Sequence, residues 1–296
     1  MRAGTINARP GPLRAILLAL SLALVASLAI GCSGTETTPP APEPSPTSTP
    51  DPEPPAAEPL DVTIYYVRGE HLGVAVHRIQ RTKAVAAAAL DELLAGPTEE
   101  EREAGLASEI PEGTRVLGID VVNGTATVDL SKEFESGGGS LSMQLRVAQV
   151  VYTLTAFPTI DRVAFMIDGV AVQAIGGEGI LVDPPVGRLD FADNTAPAIL
   201  LESPAPWQRV ASPVRLTGMA NTFEATLLYN VVDPSGRIVA EGFTTATAGS
   251  GTWGTFDVQV DFTPEREGIG AIIVWEESAA DGSQVNLVEI PVRMMP

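Results

Sequence analysis

Apolar and polar positions follow four regimes along the chain, and each predicts a different kind of segment. Ala15–Ile30 (AILLALSLALVASLAI) is apolar apart from two serines. As a helix, sixteen residues at about 1.5 Å rise reach about 24 Å, short of the ~30 Å hydrocarbon core of a bilayer. Ser33–Pro59 reverses this, with ten prolines in 27 residues and no aromatic or β-branched aliphatic side chain. Such a stretch has too little apolar surface to offset the entropy of ordering, so it reads as an extended tether. At ~3.1 Å per residue it would span roughly 80 Å.

From Leu60 the pattern becomes that of a folded unit. Leu60–Val67 and Leu72–Ile79 are rich in β-branched and aromatic residues and read as strands. Lys83–Ala95 (KAVAAAALDELLA) reads as a helix ended by Gly96-Pro97, and Thr98–Glu101 as a capping box opening a short acidic helix. A turn at Ile110–Thr114 leads into a strand at Val116–Val122. Asn123-Gly124 is a two-residue hairpin signal, because both central positions of a type I′ turn need positive φ; Thr125–Leu130 returns as its partner. In Ser140–Phe157 the residues Met143, Val147, Val150, Leu154 and Phe157 recur every three or four positions, a helix stopped by Pro158. Arg162–Ile167 closes the unit as a last strand. The order is β(β)αββαβ over residues 60–183, an α+β layer with helices on one face of a small sheet.

Residues 184–196 read as a linker, and residues 197–296 lose helical spacing altogether. Strand-like runs at Ile199–Glu202, Val214–Thr217, Thr226–Val232, Ile238–Thr244, Phe256–Phe262, Ala271–Glu276 and Val285–Val292 alternate with turns such as Asp233-Pro234-Ser235-Gly236. About seven strands in 100 residues predict an all-β sandwich of immunoglobulin type, with Trp275 in its core.

Composition narrows the function classes. A single Cys in 296 residues excludes an intramolecular disulfide and a Cys-cluster metal site, and two His exclude a multi-His centre. With 18 Lys+Arg against 37 Asp+Glu, the net charge of −19 argues against nucleic acid as a partner.

The lone Cys also gives the amino-terminal pattern an address. The first 31 residues contain no Asp or Glu and carry Arg2, Arg9 and Arg14 ahead of the apolar run, the layout of a signal peptide. LAIGC (Leu28–Cys32) resembles a bacterial lipobox, departing from it in Ala29 where Leu is commonest. The resemblance implies cleavage after Gly31 and lipidation of Cys32 with palmitate-type chains. Residues 32–59 would then tether the chain to the extracytoplasmic side of a bacterial cell membrane. Two or more acyl chains, at about 0.8 kcal/mol per buried CH₂, anchor stably where one is marginal. The mature 265 residues would carry 15 basic against 37 acidic side chains, or −22. Attachment would therefore come from lipid rather than from surface charge.

Residues 60–183 resemble a GerMN domain of sporulation and germination proteins and envelope lipoproteins. The likeness is carried by IYYV, LLAGPTEEE, IPEGT, VDLS and YTLTAFPTIDRVAFMIDG. Residues 197–296 are similar to the Gmad2 immunoglobulin-like module, through SPAPWQRVASPVRLTGMANTFEATL, VDPSGRI, FDVQVDFTP and EIPVRMM. The resemblance implies assembly and contact roles, including self-assembly through the GerMN-like unit, and supplies no catalytic residues.

Candidate chemistry is sparse. His71 and His77, six residues apart, would lie about 20 Å apart on one strand at ~3.3 Å per residue, too far to share a metal, and read as surface or edge histidines. Asp129, Glu133 and Glu135 suggest the paired carboxylates of a glycosidase, but in a solvated acidic loop. Gly137-Gly138-Gly139-Ser140 before a helix would place N–H groups around an anion, or serve simply as a flexible helix entry. Asn123-Gly124-Thr125 matches a glycosylation sequon that the turn explains without a glycan. The expectation is no catalytic residue, no cofactor and no metal. The chain reads as a lipid-anchored, non-catalytic envelope protein binding envelope proteins or peptidoglycan, with a sporulation link implied by the family alone. The alternatives are a wall-glycan or peptide hydrolase using the acidic residues, and a small-ligand carrier with an enclosed apolar pocket.

Overall fold

The computed structural model describes residues 58–177 and 179–295; the apolar run, Cys32 and nearly all of the proline-rich segment lie outside the described residues. The first strands, β1 (Leu60–Arg68) and β2 (His71–Ile79), form a full-length antiparallel hairpin. Helix α1 (Val85–Ala95) follows, then α2 (Glu99–Glu103). The capping box is formed as the spacing requires: Thr98 Oγ1 accepts from the Glu101 amide at 3.3 Å, and Glu101 Oε2 accepts from the Thr98 amide at 2.8 Å. A two-residue β3 (Leu106–Ala107), which no periodicity announces, pairs with β1.

The hairpin of β4 (Val116–Val122) and β5 (Thr125–Leu130) turns at Asn123 (φ 50°) and Gly124 (φ 80°), both left-handed as the Asn-Gly pair predicts. From β5 the chain crosses over through α3 (Ser140–Leu154) to β6 (Arg162–Ile167), which lies parallel to β5. A parallel pair needs such a crossover. Short pieces β7 (Val170–Ala171), β8 (Ala174–Ile175) and β9 (Ile180–Leu181) end this half.

The α+β class holds, with two differences of arrangement. The strands form two sheets, β2-β1-β3 and β4-β5-β6-β7, rather than one, because β3 takes the edge of β1 that a single sheet would have offered. Helix α3 is enclosed rather than half-exposed. Every residue from Leu145 to Leu154 is buried, including Arg146, Gln149 and Thr153, since β1, α1 and β6 pack around it. It also ends at Leu154 instead of Phe157, where the Thr155 hydroxyl bonds back to the Val151 carbonyl at 2.7 Å.

The segment 184–196 is not a free linker. Val186 bridges Val163 through paired backbone bonds of 2.8 and 2.9 Å. A single 3₁₀ turn at Arg188–Asp190 leads into the one-turn helix α4 (Ala192–Thr195), and Phe191, Ala192 and Thr195 are buried. The apolar residues of this stretch are spent on packing, which a proline-centred reading overlooks.

The remaining strands build the expected sandwich. They are β10 (Ile199–Ser203), β11 (Arg209–Val210), β12 (Val214–Ala220), β13 (Thr226–Val232), β14 (Ile238–Thr245), β15 (Gly254–Val260), β16 (Gly268–Glu277) and β17 (Gln284–Met294). One sheet has the order β10-β12-β15 and the other β11-β17-β16-β13-β14, with β11 parallel to β17. Trp275 is buried as expected. At Gly218 a Cβ would stand 2.0 Å from the Leu200 carbonyl oxygen and 2.8 Å from the Phe256 ring, so only glycine lets β12 pass there. Leu200, Ala205 and Met219 of this half belong to the same apolar core as Tyr65, Leu90 and Val150 of the first.

Candidate functional site

Two polar constellations lie where the halves meet, and neither has a motif in the sequence. In the first, Arg188 lies beside the rings of Tyr65 on β1 and Tyr152 on α3, its guanidinium carbon 5.2 and 5.0 Å from their centroids. Arg188 donates to Glu202 on β10, to the Tyr65 hydroxyl at 3.2 Å and to Thr155 Oγ1 at 2.9 Å, while the Tyr65 hydroxyl donates to Glu202. Burial raises the Tyr65 phenol well above its ordinary range. For Arg188, burial works against the charge, but Tyr65 and Glu202 outweigh it and hold the guanidinium protonated. These contacts tie α3, β1, the 3₁₀ turn and β10 into one joint.

The second constellation corrects the surface reading of His77. Its side chain is buried on β2, with Nδ1 2.8 Å from Glu92 of α1 and Nε2 3.1 Å from Glu101 of α2. The Tyr66 ring lies 5.9 Å away and its hydroxyl donates to the Glu92 carbonyl at 3.0 Å. Burial disfavours the imidazolium, but hydrogen bonds to Glu101 and Glu92 outweigh that cost and raise the His77 pKa. Glu101 is lowered in turn: burial opposes it, and the bonds from His77 and Thr98 prevail. The two ring nitrogens face different carboxylates, and no group of three metal-ligating side chains assembles among the described residues. His71 stays exposed at the hairpin turn.

A raised pKa means that the bridge contributes its full stability below the ordinary histidine value, about 6.5, and loses it as pH rises through the folded value. The urea midpoint is therefore expected to fall from pH 6.5 upward, and His77→Gln to remove that part of the pH dependence. A variant that keeps the wild-type slope would refute the bridge.

Around His77 opens a cleft of about 640 Å³, lined from one side by Asp61, Arg78 and Glu101 and from the other by Trp207, Gln208 and Arg209. Trp207 adopts a left-handed backbone (φ 65°), uncommon for a bulky residue, and its amide donates to the Pro291 carbonyl at 2.7 Å. Its indole Nε1 is buried without a hydrogen-bond partner among the described residues, and the Arg293 guanidinium lies 5.8 Å from its ring. Arg293 also bonds Glu100 across the cleft mouth at 3.1 Å.

The carboxylates singled out in the sequence serve turns. Asp129 Oδ1 accepts from the Gly169 amide at 3.0 Å, and Glu135 Oε1 from the Gly176 amide at 3.0 Å. Glu133 is held below its usual range, first by a hydrogen bond from Ser131, opposite to what a general acid needs. The glycine loop before α3 also differs from an anion cradle. Carbonyls at its start and just ahead of it face a cation: Phe134, Ser136 and Gly137 accept from the buried Arg146 at 2.6, 3.1 and 3.3 Å. Cys32 lies outside the described residues.

Comparison with known proteins agrees with the two halves. Residues 63–173 match the Germane family model, described as sporulation and spore germination. Residues 198–283 match the Gmad2 model, an immunoglobulin-like domain of bacterial spore germination. Among solved structures, the first GerMN domain of the sporulation protein GerM from Bacillus subtilis is 25% identical over 44% of this chain and 98% of that one, with a TM-score of 0.39. The tandem GerMN domains of the same protein are 17% identical over 69% and 62%, at 0.39. A putative lipoprotein from Clostridium perfringens is 20% identical over 46% and 93%, at 0.34. No curated protein matches the chain.

Proposed function

From a chain that carries a GerMN-type domain followed by a Gmad2 immunoglobulin-like domain, we infer a non-catalytic, lipid-anchored protein of the bacterial cell envelope that holds other envelope components in place. The observation that carries this reading is the joint at Arg188. Two modules that share a core and a charged joint present their outer faces at one fixed angle, as a scaffold requires and an isolated binding domain does not. Proteins or peptidoglycan of the envelope are the partners that fit. Self-association is favoured by β4, an edge strand on which Leu117 and Val122 are about half exposed at 48% and 56%. Anchoring at Cys32 rests on the LAIGC pattern and on the tether behind it.

In bacteria expressing the full chain, labelled palmitate is expected to enter the wild-type protein and not Cys32→Ala. The variant is expected to leave the membrane fraction, and crosslinking at the membrane to trap the wild type with partners or copies of itself. Unlabelled wild-type protein recovered as a soluble monomer would overturn the reading.

A further inference from the structure

We propose that the cleft between His77 and Trp207 binds a neutral, hydroxyl-rich saccharide, so that the envelope component the protein holds is glycan. The proposal rests on the envelope reading above and names the ligand class of the same site. Size comes first: about 640 Å³ falls within the ~300–1,000 Å³ of pockets that hold drug-sized ligands, which suits an oligosaccharide segment better than a single ion.

Charge decides the class. Asp61 pairs with Arg78 at 2.8 Å and Glu100 with Arg293 at 3.1 Å. Glu92 and Glu101 share the single ring of His77, which leaves one negative charge over when that ring is protonated, and Arg209 brings one positive charge without a carboxylate partner among the described residues. With Arg293 at the mouth counted, the cleft sums to zero when His77 is charged and to −1 when it is neutral, so a polyanion gains no net attraction and a polycation little. The same groups present carboxylate oxygens, guanidinium N–H groups and the Gln208 amide, the acceptors and donors that vicinal hydroxyls use in pairs. Carboxylates already held by cations remain acceptors for further hydrogen bonds, since each offers about four lone-pair sites.

Trp207 supplies the rest. An indole gives a large apolar face and one N–H, matching a sugar ring's C–H face and its adjacent oxygen. Here the N–H is buried without a hydrogen-bond partner among the described residues and lies out of reach of a sugar oxygen, so the part of Trp207 that a saccharide meets is its ring. The left-handed backbone at Trp207 holds the ring in this position at a conformational cost. Apart from Trp207, the only apolar side chains in the lining are Val76 and Pro206, which leaves little for a lipid or an apolar peptide side chain to recognise.

The test titrates the full-length protein with the β-1,4-linked tetrasaccharide of N-acetylglucosamine, observed through ¹⁵N-labelled indole resonances. A saturable shift of the Trp207 signal is expected, with those of Trp253 and Trp275 unmoved. Trp207→Ala is expected to weaken binding at least tenfold. Arg209→Ala, an exposed position that the fold does not need, should weaken it several-fold. No saturable shift at millimolar sugar, or unchanged affinity in both variants, would overturn the proposal. So would a wall stem peptide binding the cleft while the sugar does not. If the sugar fails and the protein still labels with palmitate and fractionates with membranes, the glycan inference falls and the envelope reading stands. If the protein proves soluble while the sugar binds, the reverse holds.

Discussion

Arg188→Ala is expected to uncouple the two domains and to cost about 2–4 kcal/mol. Removing one partner of a buried ion pair leaves the other charge uncompensated, typically at about 3–5 kcal/mol; the lower range applies because Arg188 and Glu202 keep 19% and 21% of their side-chain exposure. The variant strands the Glu202 carboxylate and takes a donor from the Tyr65 hydroxyl, from Thr155 Oγ1 and from the Tyr152 carbonyl. It also empties the space beside two tyrosine rings whose centroids are 5.3 Å apart. Wild-type protein should unfold in one calorimetric transition, because the first core runs through Leu200 and Met219 of the second domain. The variant should show two, with the earlier one moved down by several degrees. The double variant Arg188→Met/Glu202→Leu should recover part of the loss, since it removes both charges at similar volume. A single transition at the wild-type midpoint in Arg188→Ala would mean that the joint couples nothing.

That joint shows where sequence reading stops. Strands and helices were legible because each carries its own period. The Asn123-Gly124 turn and the Thr98 capping box were legible because each is a local rule read within four residues. The sandwich followed from the spacing of its strand-like runs. Arg188, Tyr65 and Glu202 come together over separations of 123 and 137 residues, and no periodicity encodes such a meeting. His77 follows the same logic. Its spacing from His71 excluded a shared metal, but only the packing of α1 and α2 onto β2 shows that it lies between two carboxylates. Trp207 was readable as part of a family-like string and not as a cleft wall, because its role depends on a left-handed backbone that the flanking prolines do not announce. The acidic run of Asp129, Glu133 and Glu135 misled toward chemistry for the converse reason. Carboxylates that accept from turn amides look the same in sequence as carboxylates that face a substrate.

The second large effect is expected at Arg146, where the sequence shows a glycine loop and the structure shows what the loop surrounds. Arg146 is 2% exposed, and its guanidinium donates to the carbonyls of Glu109, Phe134, Ser136 and Gly137 at 2.9, 2.6, 3.1 and 3.3 Å. Burial pulls its pKa down and Glu109 opposes that shift. Gly137 and Gly138 turn with φ of 62° and 86°, and a Cβ at Gly138 would stand 3.0 Å from the Arg146 guanidinium. The glycines are thus the form a chain takes when it wraps a planar cation closely. Arg146→Met keeps much of the volume and leaves four carbonyls without that donor, at an expected cost of about 3–5 kcal/mol. Arg146→Lys should recover only a fraction, because one ammonium cannot reach four acceptors spread around a planar fork. The urea midpoint measures the loss, and limited proteolysis should cut Arg146→Met within residues 136–139 before any site elsewhere in the folded part. If that loop stays protected while stability falls, the guanidinium supports α3 and not the loop; if neither changes, the four bonds contribute nothing net.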